Sequence, residues 1–125
     1  MRRAGLFLTA VVVLAAGHAV AAGIDLTKPY GNKSGCINKA GQQVYAEDML
    51  LLTSEAFVTV ASACTFTDKK TQADGSLLVK ATCQAEGEEG ETPTQFTIKR
   101  SAKNAKKLTI ADEDGNVMGE VALCK

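Results

Sequence analysis

From residue 77 onward apolar and polar side chains alternate: Leu77, Val79, Ala81, Cys83 and Ala85 share one parity, and Lys80, Thr82 and Gln84 the other. A period of two is the mark of a strand with one buried face. The same alternation returns at Phe96 and Ile98 against Thr97 and Lys99, and at Leu108 and Ile110 against Lys107 and Thr109. Near the C-terminus Val117, Gly119, Val121 and Leu123 fall on one face, with Met118, Glu120, Ala122 and Cys124 opposite. Upstream, residues 49–53 and 56–61 read as two strands joined at Thr53, Ser54 and Glu55, and residues 64–67 as a third. Asp74-Gly75 and Asp114-Gly115 are dipeptides that tight hairpins prefer, because their backbones must reach positive φ. Residues 44–57 also fit an amphipathic helix with Glu47, Asp48, Ser54 and Glu55 toward water, and 101–108 a short basic one. The Thr and Val content and the hairpin dipeptides favour strand or loop for both. The predicted fold is mainly β: about seven to eight short strands in an antiparallel meander, closed as a small barrel or sandwich.

The N-terminus follows different rules. Arg2 and Arg3 precede an apolar run over residues 6–16 that only Thr9 interrupts, and Ala19-Val20-Ala21 then offers small residues at a cleavage site. This order predicts a secretory signal peptide over residues 1–21, cut after Ala21 or its neighbour Ala22. The run is shorter than the ~20 residues a membrane-spanning helix takes. No cysteine follows it closely, so no lipid attachment site is expected. Residues 22–125 then form a single β-rich domain, in which 22–35, with Pro29, Gly31 and Gly35, reads as a flexible lead-in. The expected location is outside the cytoplasm, in a bacterial periplasm or the extracellular space.

Export changes the meaning of the cysteines. Cys36, Cys64, Cys83 and Cys124 all follow the leader, and an even count in an oxidising compartment reads as two disulfides. Four cysteines allow three pairings, and spacing alone does not choose among them. The preferred pairing is Cys64–Cys83, which flank a hairpin, and Cys36–Cys124, which would tie the two ends together. A redox or zinc site is disfavoured, since there is no Cys-x-x-Cys and no close ligand pair.

The only histidine is His18, inside the expected leader. Triad hydrolases need an imidazole as general base and zinc enzymes usually need one as ligand, so both classes become improbable for the exported domain. A carboxylate pair could still do acid and base work, but none stands out, and the chain has no tryptophan to stack on a sugar. The domain is therefore expected to be no enzyme and to need no metal or cofactor. Asp112-Glu113-Asp114-Gly115-Asn116 opens like a calcium loop, yet the twelfth position is Leu123 rather than a bidentate glutamate, so a hairpin turn explains it better. Asn32-Lys33-Ser34 satisfies the glycosylation pattern.

Charge matters through its distribution. The chain carries 14 basic and 14 acidic residues, and loss of Arg2 and Arg3 with the leader leaves a slightly acidic domain, which argues against nucleic acid as partner. Glu86, Glu88, Glu89 and Glu91 gather around Gly87 and Gly90, while Lys99, Arg100, Lys103, Lys106 and Lys107 run on without an acid between them. Such runs commonly are solvated faces; where functional, they serve as docking surfaces for a protein or an envelope polymer.

Tyr30-Gly31-Asn32 with Gly35-Cys36, then Leu50-Leu51-Leu52-Thr53, Cys64-Thr65-Phe66, Cys83 before Glu86-Gly87, and a terminal Cys124 together resemble small exported bacterial proteins of unknown function. In size, compartment and architecture the chain is also similar to the periplasmic lysozyme inhibitors, which are small disulfide-stapled β-barrels. Relatives of the inhibitor of c-type lysozyme carry a Ser-Gly-x-x-Tyr loop that enters the lysozyme cleft. Here Ser34-Gly35 is followed by Cys36, Ile37 and Asn38, so those inhibitory residues do not carry over. The expectation is a non-enzymatic periplasmic binding module of lysozyme-inhibitor type, with the acidic loop steering it to a basic partner. The alternatives are a structural or envelope-stress protein that docks through its basic run, and a carboxylate-based hydrolase.

Overall fold

The alternation becomes, strand by strand, a closed antiparallel barrel. The computed structural model describes residues 23–125, so the expected leader and His18 lie outside the described residues. In chain order the elements are β1 (Tyr30–Gly31), α1 (Lys33–Cys36), β2 (Leu50–Leu52), β3 (Ala56–Thr59), β4 (Ser62–Thr71), β5 (Leu77–Ala85), β6 (Thr92–Arg100), β7 (Lys107–Asp112) and β8 (Val117–Leu123). Each strand pairs with the next, and β1 pairs with β8 to close the circle. Neither segment that also fitted an amphipathic helix is one: residues 44–57 hold β2 and β3, and 101–106 are the β6–β7 turn.

The inward parity fills the barrel. Leu52, Phe57, Val79, Phe96, Ile98, Ile110 and Val121 are each less than 2% exposed. Phe57 on β3 and Phe96 on β6 belong to strands that are not neighbours, yet their rings meet edge to face at 5.8 Å. That contact passes through the lumen, so the interior is packed side chain rather than a ligand chamber. Each such burial contributes about 1.5–3 kcal/mol. The outward parity, with Lys80, Gln84 and Lys99 exposed, is polar, the reverse of a barrel whose outer face meets lipid. No helix among the described residues is long and apolar enough to cross a membrane.

Strand β8 departs from the simple alternation. Ile110 pairs with Gly119 but Ala111 pairs with Val117, so a bulge takes up Met118 and reverses the parity beyond it. Val117 therefore lies on the outer face, 66% exposed, and Leu123 at the strand end is 47% exposed, leaving Val121 as the fully buried member of that set. The aspartate-glycine turns also differ from two-residue hairpins. Gln72 and Ser76 close a three-residue loop with Gly75 at φ 87°, and Asp112 and Asn116 close another with Gly115 at the same φ.

Of the stretch 22–35, expected as a flexible lead-in, the described residues from 23 on are built into the fold. Leu26 is 6% exposed within the core, and Tyr30–Gly31 supplies the closing strand. Asn32 caps α1: its Oδ1 accepts from Gly35 N at 2.7 Å and from Leu50 N at 3.1 Å, and its Nδ2 donates to the Asp48 carbonyl. A side chain at Gly35 would put its Cβ 1.7 Å from the Leu50 carbonyl oxygen, so only glycine lets the turn lie against β2. The glycosylation-pattern asparagine is thus consumed by the fold.

Both expected disulfides form. Cys36–Cys124 joins α1 to the end of β8, and Cys64–Cys83 links a directly opposed pair on β4 and β5. Two bridges belong to an oxidising, exported setting. They close loops with sequence separations of 88 and 19 residues. Because loop-closure entropy grows with length, the Cys36→Ser/Cys124→Ser pair should cost about 1 kcal/mol more than Cys64→Ser/Cys83→Ser. Urea unfolding of the two double variants measures the difference, and equal midpoints with equal slopes would contradict it.

Candidate binding surface

In an up-and-down barrel successive connections alternate between the two ends. The β5–β6 connection carries Glu86, Glu88, Glu89 and Glu91, and the β6–β7 connection carries Lys103 and Lys106. The two charge clusters therefore occupy opposite ends, although they lie close in sequence. The connections β1–β2, β3–β4 and β7–β8 share the acidic end and add Glu47, Asp48, Glu113 and Asp114 to it. Lys33 is also at this end, whereas Lys39 reaches back toward the opposite one, where its ammonium donates to the Lys125 carbonyl past the end of β8.

The acidic loop is anchored at its start. Glu86 N donates to the Ala61 carbonyl at 2.7 Å and Glu88 N to the Ala85 carbonyl at 3.1 Å, while Gly87 and Gly90 take φ of 81° and 79°. All four glutamates are exposed, and among the described residues none is held in an ion pair. Their mutual repulsion is left to solvent, and their negative potential extends into it.

Beside this loop lies an aromatic residue that the sequence reading passed over. Tyr45 is 69% exposed and Val44 51%. The 37–48 segment crosses the outer face of β2, where it covers Met49 and Leu51, 4% and 8% exposed. Asn38, itself buried, clamps it: its Oδ1 accepts from Val44 N and its Nδ2 donates to Val44 O, both at 2.7 Å. The clamp fixes the backbone immediately before Tyr45. An aromatic after Gln42-Gln43-Val44, in a segment with no strand alternation to bury it, was the available signal, since tyrosine is enriched among interface anchors.

The basic run is dispersed rather than gathered. Lys107 pairs with Glu120 across the β7–β8 ladder at 3.8 Å, an exposed contact of small energetic weight. Arg100 donates to the Gly23 carbonyl at 3.2 Å and so holds the N-terminal segment. Lys99 points outward from β6, beside the β4–β5 turn, and Lys103 and Lys106 stand exposed in the turn that follows. Part of this run thus serves the fold itself.

Three carboxylates do line one place. A groove of about 390 Å³ on the outer face of β6 and β7 is flanked by Asp74, Asp112 and Glu113, with Thr97, Lys99 and Thr109 along its floor. Asp74 accepts from Ser76 Oγ at 2.6 Å and from Ser76 N at 2.9 Å, and these bonds hold its carboxyl below the usual range. The Asn116 N–H, 2.9 Å from Asp112 Oδ1, does the same for Asp112. A general acid needs its pKa raised, so both carboxylates are shifted the wrong way for that role. The same bonds make Asp112 the organiser of its own turn.

Ser34-Gly35, the dipeptide weighed above as the start of an inhibitory loop, sits in α1 with Gly35 buried against β2. It presents no loop that could enter a cleft.

A carboxylate whose folded pKa is depressed contributes stability above its unfolded pKa and loses it as pH falls through the folded value. The urea midpoint should therefore decline below about pH 4, and Asp112→Asn, which removes one such group, should decline less over that range. Parallel curves for the two proteins would show that the turn carboxylate is not linked to folding. In comparisons with known proteins, no family model, no curated protein and no solved structure matches this chain.

Proposed function

We propose that the protein is a non-enzymatic binding module of the periplasm, and in its sharpest form an inhibitor of lysozyme. The observation that carries this reading is the contrast between a lumen filled by Phe57, Phe96 and their neighbours and a rim on which four unpaired glutamates stand exposed. With no chamber inside, recognition falls to the outer surface, and the glutamate cluster, unlike the basic run, spends none of its charge on the fold. Lysozymes are usually basic, so an exposed carboxylate loop would steer one in and compete for contacts at its cleft. The absence of an inhibitory Ser-Gly-x-x-Tyr loop moves the recognition element to Glu86–Glu91 and makes this a different mode of engagement from that of the known inhibitors.

Glu88→Lys together with Glu89→Lys reverses the charge of the loop at two exposed positions that support no buried contact. The double variant should keep the thermal midpoint of the parent and abolish inhibition of a c-type lysozyme in a cell-wall turbidity assay. Inhibition at the parental level would remove the loop from the function. Retention of anionic envelope polymer, lost with Lys103→Glu and Lys106→Glu, would instead assign recognition to the opposite end.

A further inference from the structure

Three connections converge at the acidic end to form an open hollow, part apolar and part polar, with a charged edge. Tyr45 from the β1–β2 connection, Val60 from β3–β4 and Glu86 from β5–β6 line one open hollow together. The adjoining one, of about 380 Å³, shares all three and adds Val58, Ala63 and Glu88. Residues far apart in sequence are thus juxtaposed by barrel parity alone: Tyr45, Val58 and Val60 give an apolar strip, Thr59, Ser62 and Gln84 polar groups beside it, and the carboxylates one side. An exposed tyrosine whose preceding residue is clamped by Asn38 gives up little conformational freedom when a partner covers it.

The charge of the edge selects the occupant. We propose that this hollow seats a lysine or arginine side chain presented by a basic protein, with its aliphatic stem across Tyr45 and Val60 and its charge between Glu86 and Glu88. The proposal rests on the protein-binding reading above and adds the anchor and the chemical class of the residue it receives. A cation held over a tyrosine face gains from the ring quadrupole as well as from the carboxylates, and the long stems of lysine and arginine cover apolar surface while the head stays at the polar edge. A neutral or acidic partner would bury the glutamates uncompensated, so the same edge that attracts one class rejects the other.

The test uses the oxidised protein and two probes, a blocked oligo-arginine peptide and a c-type lysozyme, each titrated calorimetrically at low and moderate salt. Tyr45→Ala should weaken peptide binding by about tenfold or more, Tyr45→Phe should stay within about threefold of the parent because the ring remains, and Glu86→Gln with Glu88→Gln should weaken binding and flatten its salt dependence. All three changes are at exposed positions, and equal thermal midpoints establish that each variant is folded. Peptide binding that Tyr45→Ala leaves unchanged overturns the proposal, even if Glu88→Lys/Glu89→Lys still abolishes lysozyme inhibition. Tyr45-dependent peptide binding with no response to lysozyme keeps the anchor and removes the inhibitor reading alone.

Discussion

Tyr30–Gly31, a strand of two residues, supplies the ladder between β2 and β8, and without it the sheet would have two free edges. Free edges invite pairing with other chains, so everything around this short strand works to hold it in place. Asn32 ties the following turn to the Leu50 backbone, Gly35 allows that turn to lie directly on β2, and Cys36 binds Cys124 just past the end of β8. Cys124 N in turn donates to the Pro29 carbonyl immediately before the strand. Two residues suffice because these four restraints confine the segments that the strand must join and so lower the entropy lost on closure. With the circle closed, the inward side chains pack across the lumen and the outward ones are left to water.

Closure also settles where charge can go. Since every strand runs opposite to its neighbours, connections that adjoin in sequence emerge at opposite ends. The glutamates of β5–β6 and the lysines of β6–β7 are thereby separated by the length of the barrel instead of neutralising one another. The acidic end further collects the longest connection, 37–48, and with it the exposed Tyr45. The basic end spends part of its charge on Gly23 and Glu120. A molecule with no internal chamber and a cluster of unspent carboxylates beside an aromatic is suited to meeting another surface.

Much of this was legible before the structure. Strand β5 begins and ends where the alternation does, and both disulfide pairings follow from cysteines that flank a hairpin and tie the ends. What alternation could not reveal is where it is interrupted: the bulge at Met118 turns Val117 outward, and a period-two reading has no way to count the extra residue. The lead-in read as flexible because Pro and Gly are ordinarily loop residues, whereas here Gly31 and Gly35 are small to admit the Leu50 backbone. Each charge cluster is contiguous in sequence and was found there. The hollow is assembled from three connections and has no local signature, so Tyr45 became visible only in three dimensions.

The most direct test is to find which end of the barrel meets a partner. Backbone amide chemical shifts of the isotope-labelled, oxidised protein, followed while a c-type lysozyme or an oligo-arginine peptide is added, report this residue by residue. The account places the perturbed amides at 44–45, 58–63 and 84–91, with the amides of 99–107 unmoved. Perturbation centred on 99–107, or on the outer groove between Asp74 and Asp112, would contradict it.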